Sequence, residues 1–307
     1  MGEQRRIYPG KRTYQRILCL SALWIFDTVS IFLGIFAPSK RPGVKPSECD
    51  DWSDDEIMQR FRSMPGLESS LDRCGNHKVR WLCGDTVCKW VDPPEALIIE
   101  LVRSQTTIPT PHIRRKILGE WEDVLIMMEY IEGKQLSECW PSLSFWSRLR
   151  IAFTLHRYVR QLRQIRTPYS SVPGPPSETP QDCSGPAYFG MRPIGPFPDY
   201  ASLSYFFNDL ARSNPWIREP FDDSRPLVLT HNDLSMRNII IGVDGKVWII
   251  DWGWAGFYPE WFEYMSTQFA AENDDAPDPW WRFIPFIAGP YFMQERWMHS
   301  IGCSVYW

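Results

Sequence analysis

His231-Asn232-Asp233-Leu234-Ser235-Met236-Arg237-Asn238, then Ile239-Ile240-Ile241-Gly242-Val243-Asp244-Gly245-Lys246-Val247-Trp248-Ile249-Ile250, then Asp251-Trp252-Gly253: the fold is decided by this stretch. It reads H-x-D-x-x-x-x-N, two apolar runs around Asp244-Gly245, and D-x-G. An Asp-Gly pair between apolar runs signals a two-residue hairpin turn, in which both central residues adopt φ > 0. Counted outward from that pair, Asn238 and Asp251 are each six residues away, so the spacing predicts that they face one another. Directly opposed residues have Cβ atoms about 4.5–5.5 Å apart, and Mg²⁺–oxygen bonds are about 2.0–2.1 Å long. One ion can therefore touch both side chains. Moving a phosphoryl group needs a carboxylate near the attacking hydroxyl and oxygen ligands that hold Mg²⁺ against the phosphates. Asp233 is the candidate for the first, Asn238 and Asp251 for the second. A surface hairpin with polar residues at its mouth is the plain alternative, and it leaves His231-x-Asp233 unexplained.

Working outward, Leu227–Thr230 reads as a short strand feeding this segment. After Gly253 the chain reads as helical and aromatic, ending in an amphipathic helix near Phe292–Ile301. Upstream, about Ser47 to Arg62 reads as a helix with Asp54-Asp55-Glu56 where the dipole favours negative charge. Val79–Trp90 is a strand–turn–strand around Gly84-Asp85. Pro93-Pro94 opens a helix to Gln105, with Leu97, Ile98, Leu101 and Val102 on its apolar face. Strands follow at His112–Leu118 and Val124–Tyr130. Ile131-Glu132-Gly133 reads as a hinge, and Ser144–Ile165 as a long serine-capped helix. Thr167–Pro186, rich in Pro, Ser and Gly, reads as a surface loop. The pattern predicts an α+β chain of two lobes, a small antiparallel sheet carrying one helix and then a larger helical lobe. The expected division is an extension over 1–45, a first lobe over 46–131 and a second over 132–307.

Composition narrows the partners. The 307 residues suffice for two modest lobes, and a net charge of −4 offers no footprint for nucleic acid. The eight cysteines show no C-x-x-C and no His/Cys spacing for zinc. Cys83 and Cys88 flank the Gly84-Asp85 turn, so a disulfide there is conceivable, although reduced thiols are the expectation. Ile17–Ala37 is long and apolar enough to reach across roughly 30 Å of hydrocarbon, but Asp27 at its centre costs about 2.5–3.5 kcal/mol on insertion scales. It is expected to pack on the fold or lie on a membrane surface, a spanning anchor being the alternative. The protein is expected to be cytoplasmic and monomeric, with membrane contact only through that segment.

On these residues the chain resembles the aminoglycoside phosphotransferase and choline kinase group, relatives of protein kinases, and its fungal-type members in particular. The shared pieces are Val87-Cys88-Lys89, Pro94-Glu95-Ala96, Ile108-Pro109-Thr110-Pro111, Met128-Glu129-Tyr130-Ile131-Glu132-Gly133, Gly195-Pro196-Phe197, the 231–238 segment and Ile249-Ile250-Asp251-Trp252-Gly253-Trp254-Ala255-Gly256, in family order over about residues 75–265. The resemblance implies a two-lobed kinase-like fold that uses ATP (GTP being the alternative donor) and Mg²⁺ to phosphorylate a hydroxyl of a small molecule. It implies that Lys89 holds nucleotide phosphates, that Glu95 orients Lys89, and that the Glu129–Ile131 backbone meets the adenine edge. Glu100, on the same helix, competes with Glu95 for that role. His231 is read as a brace for the loop, and Arg237 as a contact to phosphate, a counter-charge for Asp233 or a surface residue.

Two departures stand out. Gly75-Asn76-His77 is a weak match to a glycine-rich phosphate loop, and no A-P-E follows Asp251. The second points to a small acceptor, and the first keeps open a nucleotide-binding pseudokinase or scaffold. A membrane-tethered adaptor built on Ile17–Ala37 is a third reading. Trp252, Trp254, Phe257, Tyr258, Trp261, Phe262 and Tyr264, with Glu260 and Glu263, suggest an aromatic box for a cationic amine, each cation–π contact contributing about 0.5–2 kcal/mol. Packing within the helical lobe is the expectation for most of these rings, and a solvated loop for Asp274, Asp275 and Asp278.

Overall fold

A computed structural model describes residues 45–64, 79–119, 123–190 and 192–305, together with Ser21 and Thr28 as isolated helical positions. Most of Ile17–Ala37 and all of Gly75-Asn76-His77 lie outside the described residues. Among those described, no helix is long and apolar enough to cross a membrane.

The first lobe is a four-stranded antiparallel sheet in the order β1-β2-β4-β3, from β1 (Val79–Cys83), β2 (Thr86–Val91), β3 (Ile113–Leu118) and β4 (Val124–Glu129). A 3₁₀ turn (Glu48–Asp51) and helix α1 (Asp54–Ser63) precede it. Ser53 caps α1 by accepting from the Glu56 amide, so the expected 47–62 helix is broken in two there. Cys49, Ile57, Phe61, Leu82, Cys83, Cys88, Ile117, Leu125 and Met127 form the apolar cluster between these pieces and the sheet.

Helix α2 (Pro93–Gln105) starts at the proline pair, where a missing N–H costs nothing. It buries Glu95, Ala96, Ile98, Ile99 and Val102, while Leu97 is exposed. The buried face is thus rotated from the one predicted, because Glu95 turns inward to meet a cation and takes its helical neighbours with it.

The second lobe is mainly helical. After β5 (Gly133–Gln135) come α3 (Leu136–Cys139), α4 (Phe145–Leu162), α5 (Pro186–Phe189), α6 (Tyr200–Ala211), α7 (Phe262–Asn273), α8 (Asp278–Ala288) and α9 (Phe292–Val305). Small sheets are set among them: β5 with β7 (Ile239–Gly242) and β8 (Val247–Ile249), and β6 (Val228–Thr230) with β9 (Gly256–Tyr258). Ser144 caps α4, whose Ile151, Ala152, Leu155, Val159 and Leu162 face the core. The 167–186 connection is only partly a surface loop. Gly174 pairs with Phe257 and Cys183 with Ile194, and Cys183 is fully buried, so the segment is stitched to the lobe by backbone hydrogen bonds.

The expected hairpin turn is corrected. The 239–249 hairpin turns through three residues, Val243-Asp244-Gly245, closed by Gly242 N–H to Lys246 O at 3.0 Å, and within that loop only Gly245 has positive φ (+75°). A three-residue loop that ends on an αL glycine replaces the two-residue turn. The register is therefore Ile239↔Ile249, with Asn238 O accepting from Ile250 N–H, and Asp251 lies one residue beyond the position opposite Asn238. Cys83 and Cys88 are free thiols, as expected, since Cys83 pairs with Thr86 and Cys88 with Arg80 across the strands. Finally, Trp252, Phe257, Tyr258, Trp261, Phe262 and Tyr264 are all buried, and Tyr188, Phe262 and Tyr258 stack on one another. Those rings pack the lobe and form no open box.

Candidate active site

Lys89 points from β2 into the space between the lobes. Its Nζ lies 2.6 Å from Glu95 Oε1 and 2.6 Å from Asp251 Oδ1. Burial alone would lower the Lys89 pKa, but the charges of Asp251 and Glu95 outweigh it and hold the ammonium above its ordinary value. Glu100 faces outward and pairs with Lys116 at 2.7 Å, so geometry separates the two glutamates. Gly253 completes the arrangement by leaving room: a Cβ there would sit 3.2 Å from Glu95 Oε2.

Asp251 reaches Lys89 because its backbone leaves the strand at φ +61°. Asn232 adopts the same φ of +61° directly after β6. Asn and Asp tolerate this left-handed conformation better than other side chains, and here it re-aims the chain at the site. Asn232 is fixed there by Thr230 Oγ1 and Tyr188 Oη, which donate to its Oδ1 at 3.0 and 3.3 Å.

Asp233 is the most constrained carboxylate. Arg237 Nη2 donates to its Oδ1 and Oδ2 at 2.9 and 3.0 Å, and Asn238 Nδ2 donates to Oδ2 at 2.8 Å. The i, i+5 reach from Asp233 to Asn238 is set by the single 3₁₀ turn Met236–Asn238. Burial still pushes Asp233 up to about 7, against the pull of Arg237. Arg237 Nη1 is taken by Asp274 at 2.6 Å, so Arg237 is a counter-charge and not a loose surface group. Asp274 thereby leaves the solvated acidic loop expected for it.

His231 is buried and neutral, its pKa lowered to about 4 chiefly by desolvation. Nδ1 accepts from the Asp233 amide at 3.2 Å, which leaves Nε2 to donate to Ile250 O at 3.1 Å. The ring thus ties the Asp233 turn to the residue before Asp251. Glu263 of α7 accepts from the His231 amide at 2.6 Å, and burial pushes its pKa up to about 7. The sequence groups Glu263 with the aromatic residues after Asp251 and carries no signal for this contact, which joins positions 32 residues apart.

At the hinge, the Glu129 and Tyr130 amides already donate to His112 O and Asp85 O at 3.0 and 2.8 Å. A ligand there is left with Ile131 N–H and the carbonyls. Beside Asp233 opens a cavity of about 60 Å³ walled by Asn232, Arg237, Trp254, Phe269 and Asn273. Of the predicted aromatic residues, only Trp254 lines it. The structure therefore brings Lys89, Glu95 and Asp251 together, and Asp233, Arg237 and Asn238 together, with His231 as the link between them.

A family model described as the phosphotransferase enzyme family matches residues 95–282, more than half of the chain. The chain belongs to that family. The match runs from Glu95 on α2 through the whole 231–253 segment. Among solved structures, the chain is similar to a streptomycin–ATP ternary complex of APH(2")-IIa (12% identity, TM-score 0.47, covering 80% of this chain and 86% of that one). It is also similar to a GDP and kanamycin complex of APH(2")-IIIa (14%, 0.46, 81% and 86%), and to the Cydia pomonella granulovirus kinase PK-1 (12%, 0.37, 69% and 68%). No curated protein matches the chain.

Proposed function

We propose that this phosphotransferase-family chain moves the terminal phosphoryl group of Mg²⁺-bound ATP, or alternatively GTP, to a hydroxyl of a small molecule, with Asp233 as the base. One observation carries the reading: the Lys89 ammonium is held at 2.6 Å by both Glu95 and Asp251. A lysine kept charged while buried is suited to gripping phosphate oxygens. The Glu129–Ile131 hinge is proposed to meet the base edge of the nucleotide, chiefly through Ile131.

Asn238 and Asp251 are the proposed metal ligands. Asn238 spends its amide N–H groups on Asp233, to the backbone O at 3.0 Å as well as to Oδ2, so its Oδ1 is the atom left to coordinate. A carboxamide oxygen and a carboxylate form a hard donor set of the kind Mg²⁺ takes. When bound there, the ion would neutralise charge on the β- and γ-phosphates. Asp233 is poised near neutrality to receive the proton of the attacking hydroxyl. Arg237 and Asn238 fix the carboxylate plane, and the adjoining 60 Å³ cavity admits an acceptor group of only a few atoms beside Asp233.

The acceptor is proposed to be a hydroxyl-bearing compound, amines being the first class to examine. The test is ATP consumption by the purified chain against a panel of amino alcohols and aminoglycosides, with Asp233→Ala as control. Acceptor-dependent turnover absent from the variant supports the reading. Nucleotide binding without turnover on any acceptor would instead mark a nucleotide-binding pseudokinase.

A further inference from the structure

The thiols of Cys49 and Cys83 lie 3.2 Å apart at the hinge-side edge of the first lobe, although 34 residues separate them. Cys49 comes from the 3₁₀ turn before α1, and Cys83 from the end of β1. Asp85 Oδ1 sits 3.6 Å from Cys83 Sγ. Among the described residues, this is the one group of three or more His, Cys, Asp or Glu whose ligand atoms all lie within 4.8 Å of one another.

Its surroundings are not those of ordinary core cysteines. Ser47 Oγ lies within hydrogen-bonding distance of Cys49 Sγ (3.1 Å), Cys83 Sγ (3.4 Å), Thr86 Oγ1 (3.1 Å) and Asp85 Oδ1. A hydroxyl has one proton and two lone pairs, so it cannot satisfy four partners. Thr86 Oγ1 also donates to Asp85 Oδ1 at 3.0 Å. Two sulfurs and three oxygens thus crowd one small volume, a mixed donor set suited to a divalent cation.

We propose that Cys49, Cys83 and Asp85 form a binding site for a zinc-class divalent cation, which staples residues 45–51 to the β1–β2 turn. Soft thiolates with one carboxylate select such an ion over Mg²⁺. Tetrahedral bonds of about 2.3 Å to sulfur put two sulfurs about 3.8 Å apart, so the thiols, now 3.2 Å apart, need to separate by about 0.6 Å. The fourth position falls to the Ser47 hydroxyl or to solvent, which enters past the half-exposed Asp85.

Binding M²⁺ releases both thiol protons to solvent, and two thiolates with one carboxylate leave the centre at −1. Arg114, whose side chain is 6% exposed, offsets part of that charge from 3.2 Å while also pairing with Asp50 at 3.4 Å. It holds Asp85 Oδ2 and so turns Oδ1 toward the sulfurs, the orienting role that partners of metal ligands play. The Asp85 carbonyl accepts from Tyr130 N–H, so the staple is tied to the hinge.

The full chain, stripped of metal under reducing conditions, is titrated with Co²⁺ and then Zn²⁺. One equivalent of Co²⁺ should give a thiolate charge-transfer band that Zn²⁺ displaces and that Cys49→Ser and Cys83→Ser each abolish. Arg114→Met should weaken Zn²⁺ binding about 10–100-fold. X-ray absorption on the wild-type zinc complex needs no variant: two sulfurs at about 2.3 Å and oxygens near 2.0 Å are expected. A shell without sulfur, a shell with three or more sulfurs, no stoichiometric binding, or a Cys49–Cys83 disulfide persisting under reduction would each overturn the site.

Discussion

Replacing Lys89 with methionine should separate what its ion pairs do for folding from what they do for nucleotide. The substitution keeps most of the side-chain volume and removes the charge between Glu95 and Asp251. The Glu95 side chain is 7% exposed and would be left as a buried, unpaired carboxylate, whereas the Asp251 side chain is half exposed and rehydrates. Breaking a buried pair by deleting one partner costs about 3–5 kcal/mol, and the exposed half contributes under about 1 kcal/mol. Protonation of Glu95 caps the loss, since each pKa unit corresponds to about 1.36 kcal/mol. A net loss of about 3–4 kcal/mol at pH 7 moves a urea midpoint by more than about 1 M. Adding Glu95→Leu removes the stranded charge and should restore most of that loss, because a buried pair is often replaceable by apolar groups. Nucleotide affinity should behave differently. Both variants lose charge-assisted bonds to phosphate of about 1.5–3 kcal/mol, roughly 10–150-fold, with no recovery in the double variant. Urea unfolding and fluorescent-nucleotide titration read the two effects. A double variant as unstable as Lys89→Met, or ATP affinity unchanged in either, would rule out these roles for the Lys89 ammonium.

Gly245→Ala should cost about 1 kcal/mol, because φ is +75° while nothing lies within 4 Å of the added methyl, so the penalty is backbone strain alone; urea unfolding checks it. Glu263→Gln should leave stability unchanged near pH 4.5 and raise it above pH 7. The folded pKa of about 7 exceeds the ordinary 4.5, so the native state binds more protons in that window and wild-type stability falls as pH rises through it; melting temperatures at pH 5 and 8 decide. His231 has the opposite sign. Its folded pKa of about 4 lies below the ordinary 6.5, so the unfolded chain takes up the extra proton and stability is lost as pH falls from 6.5 toward 4. His231→Gln should flatten that part of the acid-unfolding curve.

The candidate segment was legible because Asp233, Arg237 and Asn238 come from one short stretch whose local turn brings them together, with His231 bridging to the residue before Asp251. Lys89 and Glu95 were singled out by the family resemblance and not by spacing; their side chains lie 2.6 Å apart. The hairpin register was not legible, since a turn that recruits Val243 shifts every partner by one, and composition does not distinguish a two-residue from a three-residue loop ending in Gly245. The aromatic run after Asp251 carried no periodic signal either, its helix being buried nearly all round from Phe262 to Thr267. Contacts across long separations stayed hidden. Asp274 on Arg237, Glu263 on the His231 amide, and Cys49 beside Cys83 join positions that only the folded chain makes neighbours.

Asp233 and Asp251 are assigned distinct jobs, which Mg²⁺·ATP binding measured beside turnover in Asp233→Asn and Asp251→Asn distinguishes. Asp233→Asn should bind the metal–nucleotide complex like the native chain and transfer no phosphate. Asp251→Asn should lose the metal-dependent part of binding itself. Phosphate transfer surviving in Asp233→Asn, or Mg²⁺-enhanced ATP binding surviving intact in Asp251→Asn, would contradict the account.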